Sequence, residues 1–357
     1  MLSSMDDYPL HQIAEPIRHV ATSDRNFYDR YYFNLHNCTG EIFMIMGMGQ
    51  YPNLGVQDAF ALVRHGRKHR VVRASRALGD RRDTSVGPFR IEVIAGLKTV
   101  RFIIDSNQHG IECDLRWEGA IPAYQEPRMF VRRHGRVLFD TMRFAQTGCW
   151  TGTLHVAGEK FTVTPDYWWG TRDRSWGVRP VGELEHPGIR QAEPSLDGMW
   201  NYAPMQFKDF SLLYMCHERN NGARELQEGV RIWNDPARPP EDLGRPEHAH
   251  VLRPGTAVVE RSVLSFPQAP GGPLEVKVTP LVDCHVGIGT GYGYDIDWRH
   301  GMYQGPLVVQ GVEIDVIEEA GRLWGLIDSA ARFDLGEHAG YGLHEYGFFG
   351  PFERYGV

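Results

Sequence analysis

The sequence predicts an all-β protein, two sheet-rich halves around an apolar small-molecule cavity. Three observations carry this. Forty glycines and 22 prolines are scattered along the 357 residues instead of clustered. They alternate every ten residues or so with short runs rich in Val, Ile, Tyr, Phe and Trp, the pattern of strands joined by turns. Long amphipathic helical periodicity is absent from the sequence pattern. The length exceeds one ordinary core and suits two domains of about 150 to 200 residues each. We divide them as 1–180 and 181–357, with the change near residues 171–195, where the strand pattern lapses.

In chain order, the strands expected are Ile42–Met48, Ala59–Val63, Phe89–Ile94, Val100–Asp105, Ile111–Trp117, Gly152–Val156 and Lys160–Thr164. The second half supplies Phe210–Cys216, Glu228–Trp233, Ala257–Leu264, Leu274–Pro280, Gly305–Gln310 and Arg322–Ile327. In Glu275–Pro280 apolar and polar residues alternate, so one face packs while the other meets water. The stretch from Asn234 to Pro254 is proline-rich and polar and reads as a surface excursion. Phe43–Met48 is rich in thioether side chains, which fill a core or cushion an irregular ligand; core filling is the simpler reading.

Composition excludes several functions. Lys+Arg 38 against Asp+Glu 45 leaves a formal charge of −7, which repels nucleic acid and anionic lipid. The most basic stretch, Arg64–Arg82, is interrupted by Val71, Val72 and Leu78 and reads as a solvated strand and turn. Five cysteines, odd in number and without a CxxC pair, argue against a disulfide framework or a zinc knuckle and for a reducing, cytoplasmic setting. The opening MLSSMDDYPLHQIAE has acids where a secretory signal has a basic region and an apolar run. No apolar run approaches the roughly 18 residues of a membrane span.

The densest chemistry lies in Asp166–Gly177, where Trp168, Trp169 and Trp176 stand beside Asp173, Arg172 and Arg174. The aromatics either form the seam between the halves or wall a pocket into which Asp173 points. His36 shares a strand face with Asn34 and Cys38, a face that could line the first barrel. Adjacent His344 and Glu345 lie on opposite faces of a strand, so at most one points inward. Gly287–Tyr294 lacks the spacing and helix of a nucleotide loop and reads as a sharply curved strand open to close approach by a ligand. Asp295 and Asp297 lack the rest of a calcium loop.

Gly170–Gly177 resembles the G-x-x-x-D-R-x-W segment of the hydroxyneurosporene synthase (carotenoid 1,2-hydratase) and AttH-like family. Phe27–Phe33 is similar to that family's aromatic first strand, and Tyr303–Gly311 and Gly340–Gly347 to its closing strands, in the same order along nearly the whole chain. The resemblance implies two lipocalin-like antiparallel β-barrel or sandwich domains side by side. It also implies, in some members, acid-initiated chemistry on an isoprenoid or polyketide: hydration of a double bond, or cyclisation. A carboxyl held among aromatic rings can stay protonated near neutral pH, and ring faces stabilise a carbocation. On this reading Asp173 is the acid, with His36 and Glu345 as further catalytic groups. Trp168, Trp169, Trp176, Tyr32, Tyr202, Tyr292 and His344 hold the substrate. Carotenoid hydratases add a histidine near the tryptophan motif, whereas here Arg172 and Arg174 flank Asp173, and cations so close would lower its pKa. The expected protein is a lyase or isomerase that needs no cofactor and no metal. It acts on a hydrophobic terpenoid, steroid or polyketide-like molecule, with homodimerisation left open. The competing reading is a carrier or sensor with the same cavity and no chemistry.

Overall fold

The structure, a computed structural model, describes residues 2–133, 135–181, 197–293, 295–320 and 325–357. Strand β1 (Phe27–His36) alternates its aromatics: Phe33 and Leu35 point to one side, Tyr28 and Tyr32 to the other. Side chains of this type suit a pleated surface packed on both faces. Antiparallel β2 (Ile42–Tyr51), β3 (Val56–His65) and β4 (Lys68–Ala77) follow by hairpins. On the other flank of β1 lies β13 (Trp169–Val178), then the 21-residue β11 (Arg136–Val156). Beyond it come β8 (Ile111–Gly119), β7 (Thr99–Ile104), β6 (Phe89–Ala95) and β5 (Ser85–Val86). Short β9 (Tyr124–Gln125), β10 (Met129–Arg133) and β12 (Glu159–Val163) pair with β11. Because β5 returns against β3 and β4, the sheet curls into a near-closed barrel.

Its interior is filled by side chains, among them Phe33, Phe102, Leu115, Trp117 and Trp150. Each fully buried ring of this size contributes on the order of 3 kcal/mol. Met44, Met46 and Met48 belong to this core, while Phe43 and Ile45 between them face the other way.

The second sheet contains β14 (Gly198–Gln206), β15 (Phe210–Glu218), β16 (Arg224–Trp233), β17 (Glu241–Asp242), β18 (Glu247–Leu252), β19 (Val259–Phe266) and β20 (Leu274–His285). It is completed by β22 (Ile327–Leu335) and β23 (His338–Phe349) and curls around Tyr214, Phe266, Val276 and Phe333. Strand β21 (Leu307–Asp315) leaves this sheet and adds to the free edge of β4. The architecture is therefore all-β, two curled antiparallel sheets of lipocalin type side by side. Among the described residues helix takes the form of short 3-10 turns, such as Ser4–Asp7 and Glu353–Tyr355, and no described helix is long and apolar enough to cross a membrane.

Three local expectations need correction. The basic stretch holds a mostly buried strand, β4, because β21 covers its edge and Glu313 and Asp315 pair with Arg70, Arg67 and Lys68. Within 234–254 the chain forms β18, whose His248 and His250 point into the second barrel among Tyr355, Ser262 and His344. The glycine-rich segment from Gly287 to Gly293 is a series of turns, with left-handed φ at Gly289, Gly291 and Gly293, and not a curved strand. Tyr294, residues 322–324 of the strand expected from 322, and residues 182–195 of the proposed domain change lie outside the described residues.

Candidate active site at the seam between the sheets

The outward face of the first sheet packs on the outward face of the second. Tyr32, Phe43, Ile45, Phe60 and Leu62 meet Tyr202, Met215, Ala330 and Leu343 there. At one end of this seam the packing opens into a cavity of about 500 Å³, within the usual range for small-molecule sites. The first sheet contributes Tyr28, Tyr32, Phe139, Arg143 and Asp173; the second contributes Trp200, Met215, Glu345 and Phe348. Tyr292, carried in by the glycine-rich turns, closes a third side.

Period-two alternation places the acid. Asp173 stands opposite Tyr32 on β1 and Ala145 on β11, on the seam face, whereas Arg172 and Arg174 project to the other face. There Arg172 donates to Gln146 at 2.8 Å, and Arg174 pairs with Asp29 at 2.5 Å and covers the Tyr31 ring. The flanking arginines therefore do not hold Asp173 as a carboxylate. Burial, assisted by the Glu126 and Glu345 carboxyls and opposed by the Arg143 and Arg179 guanidiniums, pushes its carboxyl up to about 7. Among the described residues nothing donates a hydrogen bond to it, so its proton is available to whatever fills the cavity.

Behind Asp173 lies a second acid pair. Glu345 on β23 and Asp328 on β22 are register partners. Burial raises both; Glu345 raises Asp328 further, whereas the Trp200 and Asp328 hydrogen bonds and the Arg143 guanidinium oppose the rise of Glu345. Tyr32 donates to Asp328 Oδ2 at 2.5 Å, and the Trp200 indole N–H donates to Glu345. The opposite wall is cationic. Arg143 bonds the buried Glu126, which also accepts from Tyr202 at 2.9 Å, and lies 4.3 Å above the Tyr202 ring. Arg30 bonds Tyr51 at 2.5 Å and stands 3.8 Å from Asp58.

The structure brings Asp173, Glu345, Tyr32 and Tyr292 to one cavity, with Tyr202 directly behind Arg143. The other residues singled out lie elsewhere. Trp168 is sunk in the first barrel core against Phe161. Trp169 donates to Pro165 O and meets Tyr341 edge-on. Trp176, three residues from Asp173 and hence on the opposite face, is 37% exposed. The expectation that these tryptophans wall the pocket is corrected: tyrosines, phenylalanines and Trp200 do so. His36 is fully buried beside Phe43, its Nδ1 accepting from Cys38 N, and burial drives its pKa down to about 3. It is on the seam side of β1, not inside the first barrel. His344 points into the second barrel, bonded to Asn201 at 3.0 Å and likewise pushed down to about 3 by burial. Sequence reasoning missed Arg143, Glu126, Trp200 and Arg179. No local motif marks them, because folding alone unites them.

A third cluster, Cys216, Glu218 and His248, gathers ligand-type atoms within 4.8 Å at one end of the second barrel. Its carboxylate is already met by Arg224 at 3.1 Å and Arg354 at 3.2 Å, and His248 Nδ1 lies 2.6 Å from the Tyr355 hydroxyl. All five cysteines are free thiols.

Residues 2–357 match a family of unknown function (DUF8625), and the chain belongs to that family. No curated protein matches it. Among solved structures, the "putative AttH" of Nitrosomonas europaea superposes with a TM-score of 0.56 at 14% identity, covering 95% of this chain and 97% of that one. CghA, in a crystal structure with Sch210972, gives a TM-score of 0.49 at 11% identity over 90% of this chain and 88% of that one. The first likeness shows that the fold is AttH-like; at such identity it shows the fold alone.

Proposed function

We propose that the protein is a cofactor-independent enzyme that uses Asp173 as a general acid on a hydrophobic small molecule held at the seam. One observation carries this reading: an unpaired carboxyl, held near pKa 7 by burial, opens onto an aromatic-walled cavity. A general acid works best when its pKa lies near the working pH. Such an acid is matched to an activated π system, a polarised enone, an enol ether or a conjugated polyene, more than to an isolated alkene.

The step balances simply. The Asp173 O–H bond breaks, the proton bonds to one carbon of the π system, and positive charge develops on the neighbouring carbon. Tyr28, Tyr32, Tyr292 and Trp200 present rings to that charge. Water then adds, or an internal nucleophile closes a ring. The proton released returns to Asp173. This is the hydratase or cyclase class that the likeness of Gly170–Gly177 to the hydroxyneurosporene synthase segment suggests. The cavity volume favours a compact or folded terpenoid, steroid or polyketide skeleton. The residue roles, the cytoplasmic setting and the two-domain division at residue 180 belong to the same proposal.

The test is Asp173→Asn, assayed with molecules retained by the wild-type protein from lipid and polyketide extracts. Turnover should fall by about a hundredfold or more with ligand retention preserved. Wild-type turnover should decline as pH rises through about 7. Retention of ligands that wild type never converts would replace the enzyme by a carrier.

A further inference from the structure

Three guanidiniums reach the cavity: Arg30, Arg143 and Arg179. Two have an acid: Arg143 bonds Glu126, and Arg30 faces Asp58, which is itself held by Tyr51 at 3.2 Å and by Gly301 N at 2.8 Å. The third has none. No described carboxylate lies within ion-pair distance of Arg179, and its one side-chain hydrogen bond among the described residues runs from Nη2 to His300 Nδ1 at 3.5 Å. His300 Nε2 donates to Thr290 O at 3.0 Å, which leaves Nδ1 as the acceptor; the imidazole is neutral, because burial and the two nearby arginines keep it far below its ordinary pKa.

Arg179 is nevertheless held firmly in place. Its backbone N–H bonds Asn26 O at 3.2 Å. Its guanidinium lies 4.5 Å over the Tyr28 ring and 5.6 Å over the Tyr292 ring. Ring faces steady a cation without neutralising it. Its Nε is buried without a partner, and so is Nη2 of Arg30 nearby. A positioned cation with idle donors and no described carboxylate in contact is costly unless an anion completes it. Arg is the side chain suited to a planar, two-oxygen anion.

We infer that Arg179 anchors an anionic oxygen head, a carboxylate or an equally acidic enol, on the hydrophobic molecule that fills the seam cavity. The inference rests on reading the cavity as a ligand site and adds the chemical class of ligand. The head would sit at the Tyr28–Tyr292 wall, leaving the apolar body beside Asp173 and Glu345. Its charge would also offset the cations on that wall, which otherwise oppose positive charge developing on the substrate.

Two fluorescent probes with one skeleton, 1-pyrenebutyrate and 1-pyrenebutanol, test this by titration at pH 8 against wild type, Arg179→Gln, Arg179→Lys and the cavity-filling Ser175→Trp. Wild type should prefer the carboxylate by about tenfold or more, the worth of one charge-assisted hydrogen-bonding group. Arg179→Gln should bind both probes alike with its affinity for the alcohol unchanged, which also shows that it is folded, and Arg179→Lys should restore part of the preference. Equal wild-type affinity for the two probes, or a preference that survives in Arg179→Gln, overturns the anionic head and leaves the cavity reading intact. Failure of wild type to bind either probe, or full binding by Ser175→Trp, overturns the cavity reading and this inference with it.

Discussion

At the scale of single residues, Asp173 ties the proposed chemistry to stability. Its carboxyl is raised from 3.8 to about 7 by burial and by Glu126 and Glu345, against Arg143 and Arg179. The folded chain thus binds more protons than the unfolded chain between those two values. Stability contributed by this group is fully present below pH 4 and is lost as pH rises through about 7. Asp173→Asn removes the ionisation, so the variant should be more stable than wild type at pH 8 by about 2 kcal/mol, roughly half of what the full shift would give because the carboxyl meets solvent in the cavity. Near pH 4 the two should unfold alike. Urea titrations at both pH values decide the matter; a variant equally stable or weaker at pH 8 would mean that the carboxyl is not held protonated. Such a cost at a group without structural partners is what a functional acid exhibits.

At the scale of elements, β13 is the critical strand, and its position depends on one close approach. A Cβ at Gly170 would come within 2.0 Å of Asn34 O and 2.9 Å of Trp150 Nε1, two atoms that already share a 2.9 Å hydrogen bond. Gly170→Ala should therefore force β13 from β1 and cost about 2 to 3 kcal/mol, with Asp173, three residues along, displaced from the cavity. Circular dichroism melts and ligand retention measured together would show both losses; a fully stable variant would contradict the close packing. The same strand shows what the sequence could disclose. Turn residues and aromatic runs located most strands, and the likeness at Gly170–Gly177 pointed to Asp173. Alternation along β13 already implied that Trp176, Arg172 and Arg174 could not share a face with Asp173, a signal that local crowding of tryptophans obscured. Trp200, Arg143, Glu126 and Arg179 carry no such signal, because they meet Asp173 only once two sheets pack. The buried β4 was misread for a related reason: its charges find partners on β21, more than 200 residues away in the chain.

At the scale of the whole molecule, the site exists only because the halves are joined. Strand β21 crosses from the second half to pair along the full length of β4, and its Asp315 and Gln310 take Arg67 at 2.9 Å and Arg73 at 2.8 Å. Without it β4 would present an unpaired edge with unmatched arginines. Without the second sheet, Phe43, Ile45, Phe60 and Leu62 would lose their cover. Exposed edges and apolar faces of this kind aggregate. The halves should accordingly fold as one cooperative unit: calorimetry of the full chain should give a single transition whose van't Hoff and calorimetric enthalpies agree. A fragment of residues 1–181 should be insoluble alone and become soluble when residues 197–357 are co-expressed. Two resolved transitions, or a soluble and stable first half, would mean that the seam is a loose contact. In that case the cavity would not hold Asp173, Glu345 and Arg179 in fixed relation, and acid chemistry there would lose its physical basis.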